Sequence, residues 1–250
     1  MKDSTIKRFI YSSTTVLIIF LLWIILSATK DNALIYPSIK QIWHALIGCF
    51  DLKGLTVLSL TIFRVIITII ASFLVSSFIM ILYVKRPTSY AFFSPIIKIM
   101  RTVPFICISI FIILIFDRQI APYVIAFLLT IPIICEGIKS GIDLLDKNLV
   151  DDLAMHNISL RQKIFLVYMP MLIPTIVLTF LQTFGLGFKV IIMGECYAQT
   201  KNSLGLYLFH AKEYLAMDEL IAWTIVIVVI VAIVETMINY YNKKRNQLIY

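Results

Sequence analysis

Charge is scarce in this sequence: 14% of its 250 residues are Asp, Glu, Lys or Arg, against 60% that are hydrophobic. Soluble domains carry about 25% charged residues, so a soluble chain of this length lacks the polar surface to cover its apolar content. Cysteine is sparse as well. Cys49, Cys107, Cys135 and Cys196 form no CxxC and stand at no metal-ligand spacing to a histidine, which argues against a disulfide framework and a zinc site. No GxxxxGK[ST] occurs, and Gly185 and Gly187 lack the third glycine of a dinucleotide loop, so no phosphate cradle is written here. There is no HExxH and no GxSxG, and His44, His156 and His210 are scattered. The acid pairs Asp143/Asp146 and Asp151/Asp152 sit among lysines in one hydrophilic segment and read as a solvated helix face.

What is present is long apolar runs, and the mean hydropathy is +0.95. Six stand out, at 9–27, 57–84, 96–116, 120–135, 164–187 with an extension to 193, and 220–240. Most are long enough for a helix to cross the hydrocarbon core, about 30 Å thick. The first has no small-residue cleavage site behind it and reads as an uncleaved helix rather than a leader. The expectation is therefore an all-α, polytopic integral membrane protein with about six transmembrane helices. One transmembrane domain accounts for the chain, with no internal repeat and no low-complexity tract.

The net charge of +8 and pI of about 9.3 come from Lys and Arg between the runs, which argues for loop charge and against nucleic acid. With both termini inside, inner segments hold fourteen basic residues and outer segments seven; Arg64, inside a run, completes the 22. That bias puts both termini and the hydrophilic segment 136–163 in the cytoplasm.

Segment 136–163 reads as two short amphipathic helices. The second carries Leu149, Val150, Leu153 and Ala154 at helical spacing. It stops at Asn157, a residue type that tolerates the left-handed position ending a helix. Ser159 is then a good N-cap for a helix starting at Leu160 and running into the fifth span. An apolar stripe held at the membrane face calls for a protein partner.

Asp151-Asp152-Leu153-Ala154-Met155-His156-Asn157, nine residues, and Val167-Tyr168-Met169-Pro170 resemble the EAA loop of binding-protein-dependent ABC importer permeases, E-A-A-x-x-x-G, nine residues, I-x-L-P. Asp151 stands at the Glu position, Asn157 at the Gly position and Pro170 at the Pro position; Asp152 and Leu153 replace the two alanines. Leu34 to Trp43 is similar to the "LPSP" segment of the nitrate, taurine and alkanesulfonate branch. Ser59 to Val65 is similar to its "SLxRV", Arg101 to Pro104 to its "R-x-x-P", and Gly194-Glu195 with Ser203-Leu204-Gly205 to its "AE…GLG".

The resemblance implies a type I ABC importer permease fold, with an N-terminal helix and outer segment at 1–56, the permease domain at 57–242 and a cytoplasmic tail at 243–250. It implies a transport subunit, not an enzyme, for a small organic or oxyanionic solute of sulfonate, taurine, nitrate or thiamine-precursor type. Two cytoplasmic ATPase subunits would bind ATP and magnesium, this chain neither, and a substrate-binding protein would dock outside. A second permease copy would complete a dimer around the path, in a bacterial inner membrane. Asp151, Asp152, Leu153, Ala154, Asn157 and Pro170 would form the ATPase-coupling loop. Arg101, Gln182, Thr183, Lys189 and Glu195 are the polar residues that could line a translocation path. Each also has a plain reading: Arg101 as a membrane anchor, Gln182 and Thr183 as contacts to protein, Lys189 and Glu195 as snorkelling side chains or a mutual pair. The alternatives are the transmembrane subunit of an energy-coupling-factor transporter, lacking the outer "GLG" loop, and an intramembrane enzyme, needing convergent acids within the spans.

Overall fold

The computed structural model describes residues 36–146 and 159–249, together with Thr14, Ile18, Leu21 and Ile25; the side chains of 241–249 are not described. The rest of the expected first span, 9–27, lies outside the described residues. So does the segment holding Asp151, Asp152, Leu153, Ala154 and Asn157. Among the described residues the chain is all helix, with no strand. The chain divides into two compact units, 1–55 with 208–228 and 56–207 with 229–250.

In chain order the helices are α1 (Ile39–Gly48), α2 (Leu52–Lys85), α3 (Tyr90–Thr102), α4 (Phe105–Ile115) and α5 (Ala121–Asp143). They continue with α6 (Leu160–Ala198), α7 (Leu204–Glu213) and α8 (Met217–Ile249). Four stretches are long and apolar enough to cross a membrane: α2, α5, α6 and Met217–Tyr240 of α8. A fifth is a broken one. The third expected run, 96–116, is not one helix: α3 and α4 meet at a 100° bend. Pro104 causes it. Val103 before it is held extended at φ −68°, ψ 128°, the conformation a following proline imposes, and Pro104 has no N–H to continue the ladder.

Within the larger unit, α5 packs antiparallel against α6, from Pro122 beside Gly194 to Gly141 beside Leu172. Gly194 approaches Pro122, Gly187 approaches Thr130 and Ile69, Gly137 lies against Thr179, and Gly141 against Leu172 and Thr175. Small residues matter here because lipid supplies no hydrophobic drive between helices, so close backbone contact has to. Gly137-x-x-x-Gly141 thus serves close helix packing. The α2 side of the bundle presents a buried hydroxyl row, Thr61, Thr68, Ser72 and Ser76. Thr68 and Ser72 each donate to the carbonyl four residues back, and Ser72 meets the Thr130 hydroxyl at 2.7 Å. Hydrogen-bonded in this way, hydroxyls can be buried without the cost of an unmade bond.

At the end of the bundle where α5 finishes and α6 begins, Ile79, Met80, Ile97, Ile134, Cys135, Tyr168 and Leu172 form the core. Helix α6 starts with a capping box between Ser159 and Gln162, as the sequence predicts. It then widens into a π segment at Lys163–Tyr168. Pro170, just beyond, cannot bond the Leu166 carbonyl and its ring crowds it. In the wider turn the Met169 N–H donates to the Ile164 carbonyl, five residues back.

In the smaller unit, α1 also begins with a capping box, Ser38 with Gln41. Cys49 is buried after it, and the Gly54 N–H donates to Asp51. Burial first, then the Glu219 and Asp51 carboxylates, push the Cys49 thiol up to about 11. All four cysteines are free thiols.

Candidate functional site

Thr61 and Arg64 lie three residues apart on α2, so their side chains share one face. Opposite them is Glu195, three residues before the end of α6. The Glu195 carboxylate accepts from Arg64 Nη1 at 2.9 Å, from the Thr61 hydroxyl at 3.0 Å and from the Gly205 N–H at 3.1 Å. Arg64 also donates to the Asn202 and Lys201 carbonyls, at 3.3 and 3.4 Å. Both charged side chains are buried, Glu195 completely and Arg64 to 8% exposure.

The local chain is shaped for this arrangement. Helix α6 ends at Gln199 in the left-handed conformation, and Asn202 is left-handed too. These two reversals bring the loop back so that α7 starts beside Glu195. Ser203 caps it, its hydroxyl accepting from the Leu206 N–H at 3.1 Å. The Leu204 N–H donates to Thr61 at 3.0 Å. A Cβ on Gly205 would overlap the Cys196 nitrogen and the Ile192 carbonyl; only glycine allows this approach. The negative carboxylate at the start of α7 is also where the helix dipole favours it. Chemically the arrangement is a clamp. It satisfies its ions internally and ties α2, α6 and α7 together.

Of the two plain readings for Lys189 and Glu195, the mutual pair does not form. Six residues apart on a helix, the two point to different sides: Lys189 is exposed and Glu195 is sealed against Arg64. Thr183 is buried too, donating to its own Thr179 carbonyl at 2.7 Å. Gln182 and Lys189, by contrast, lie on one exposed face of α6, in line with Leu178, Leu186 and Met193. Beside that face is Glu235 of α8, an exposed acid within an apolar span, 3.9 Å from where a Gly185 Cβ would stand. The structure thus separates the five expected path residues. Gln182 and Lys189 are brought together, while Thr183 and Glu195 belong to the packed interior.

Arg101 is elsewhere, at the last turn of α3, where it pairs with Glu136 of α5. Both are substantially exposed, so this pair contributes little stability. Next to it Asp143 accepts from Tyr83 at 2.7 Å and from Lys139. The Lys139 ammonium sits 5.2 Å from the ring centres of Tyr83 and Tyr90. The acid read as simply solvated is therefore part of a small network at the end of α5. Of the six coupling residues only Pro170 is described; it is exposed.

Sequence reasoning did not name Arg64, Thr61, Gly205 or Glu235 as site residues, although the first three lie within the stretches 59–65 and 203–205 that it singled out. The signal was available in part. Arg64 and Glu235 are ionisable groups inside apolar runs, and such groups are functional or paired by default.

A polytopic α-helical chain with a buried ion pair and exposed polar residues on a spanning helix is an integral membrane protein built to do more than anchor. A family model, the binding-protein-dependent transport system inner membrane component, matches residues 72–247, most of the chain. The protein belongs to this family of ABC transporter permeases, and is a transmembrane transport component rather than an enzyme. No curated protein matches it.

Proposed function

We propose that this chain is the permease subunit of an ATP-driven importer of the nitrate, taurine and alkanesulfonate type. Its solute is a small organic or oxyanionic nutrient, such as a sulfonate, taurine, nitrate or a thiamine precursor. The observation that carries the path is the exposed face of α6. Gln182 and Lys189 on it, with Glu235 alongside, are polar groups on spanning helices that lipid would not tolerate. They face a second permease copy across a water-filled route.

In this reading two cytoplasmic ATPase subunits hold ATP and magnesium, and this chain holds neither. Their closure is received by Asp151, Asp152, Leu153, Ala154 and Asn157, and passed through Ser159 and the π segment to α6 at Pro170. The α5–α6 contact, close-packed along its length, carries the movement as a rigid body, because packed helices do not deform continuously. The Arg64–Glu195 clamp makes α2 and the 199–205 loop follow α6. A substrate-binding protein docks outside, both termini are cytoplasmic, and the membrane is the bacterial inner membrane.

The test is reconstitution in proteoliposomes with the ATPase subunits and the binding protein. The chain alone should hydrolyse no ATP, and the assembly should hydrolyse it faster with loaded binding protein. Hydrolysis by this chain alone, or uptake without an ATPase, would overturn the reading.

A further inference from the structure

A cavity of about 220 Å³ opens between α2, α5 and α6, at the end of the bundle where α2 finishes and α6 begins. Phe73, Val84, Ile138, Ile164, Tyr168 and Leu172 are among its walls, which are almost entirely apolar. On α2 the lining runs from Phe73 to Val84, about 16 Å at 1.5 Å per residue. That matches the hydrocarbon depth of one leaflet, half of about 30 Å. The next residue after Val84 is Lys85, and the residue before Ile164 is Lys163; Arg86 and Arg161 lie just beyond. Because α2 ends where α6 begins, these four cations collect at one end of the trough. Among the described residues none has an ion-pair partner, whereas the neighbouring Lys139 and Arg101 are taken by Asp143 and Glu136. Lys85 and Lys163 each adjoin a residue that lines the cavity, Val84 and Ile164.

We infer that this trough holds one acyl chain of an anionic phospholipid, with its headgroup phosphate on Lys85 and Lys163. Depth and charge select this occupant together. A leaflet-deep apolar slot suits an acyl chain, and cations at headgroup level with no ion-pair partner among the described residues suit a phosphate, as in basic pockets between membrane helices. The lipid would lie against the π segment that leads into α6. Its presence would stiffen the first turns of α6 against the bundle.

The test uses the full chain in nanodiscs of phosphatidylcholine doped with phosphatidylglycerol carrying a mid-chain diazirine. Adducts should concentrate on 73–84 and 164–176 over exposed positions of α4 such as Phe111 and Leu114. Unlabelled phosphatidylglycerol should compete and phosphatidylcholine should not. Lys85→Glu and Lys163→Glu should each reduce those adducts by roughly fivefold, the worth of one basic residue near an anionic lipid. Ser77→Phe, which narrows the trough without touching a charge, should reduce them as well. Adducts spread evenly over all spanning helices, or equal competition by phosphatidylcholine, would overturn the inference. So would efficient disulfide crosslinking of Ile81→Cys between two copies, which would put protein where the lipid is placed.

Discussion

Arg64 and Glu195, 131 residues apart in sequence, meet at 2.9 Å with neither side chain open to solvent. Removing one partner of such a pair leaves an uncompensated buried charge, at a cost of about 3–5 kcal/mol. Arg64→Ala and Glu195→Ala should each lower the temperature of detergent-solubilised unfolding and reduce the folded yield. Arg64→Met combined with Glu195→Gln, which leaves no ion behind, should recover part of the loss. The measurement is thermal unfolding followed by size-exclusion fluorescence. Single variants as stable as the parent would show that the clamp contributes nothing.

The α5–α6 contact gives a sharper geometric test. Gly137→Ala places a methyl group onto the Thr179 side chain, and overpacking of this kind costs about 1–3 kcal/mol. Thr179→Ala alone should be mild, since the Thr179 carbonyl still accepts from Thr183. The double variant should be more stable than Gly137→Ala alone, the signature of two residues in contact. Additive losses in a double-mutant cycle would mean the two helices do not meet there.

Cys49 makes a pH-dependent prediction. Its thiol is raised from 9.0 to about 11 by burial and then by the Glu219 and Asp51 carboxylates. The thiolate is the reactive form, so at pH 8 its fraction falls by roughly a hundredfold. Maleimide labelling of Cys49 in the folded protein should be slow at pH 8 and climb as pH rises toward 11. After unfolding in detergent it should react at the ordinary rate. Mass spectrometry of the Cys49 peptide reads both. Fast labelling of the folded protein at pH 8 would contradict the burial.

The proposed coupling loop can be tested through its own side chains. Burying a leucine in a groove on the ATPase contributes roughly 1.5–3 kcal/mol, so Leu153→Asp should weaken ATPase association by roughly tenfold or more. Asp151→Lys should do the same by losing a charge-assisted bond, and both should abolish uptake while membrane insertion survives. Asn157→Gly should be tolerated and Asn157→Val should not, because valine resists the left-handed conformation. Pull-down and uptake measured on the four variants decide it. Normal association and uptake in both Leu153→Asp and Asp151→Lys would exclude coupling through this loop.

The sequence by itself determined what depends on a single stretch of chain. Hydropathy places α2, α5, α6 and the span in α8, because a backbone in lipid must satisfy its own hydrogen bonds and a helix does so within one segment. Ser159 announces the start of α6, since a cap is a contact between neighbours three residues apart. Pro104 could be seen, but the size of the break could not: Pro132 and Pro174 lie inside unbroken helices, whereas at Pro104 the chain turns by 100°.

Which face of each span packs was decided only by the tertiary structure. In a soluble helix the apolar stripe names the buried side, but lipid is as apolar as a protein core, so both sides of α6 read alike. Thr183 and Gln182 are adjacent in sequence, yet one is sealed in the bundle and the other exposed. Glu195 turned from Lys189 to Arg64 for the same reason. Its partner is chosen by how α2 lies against α6, and no local pattern holds that distance.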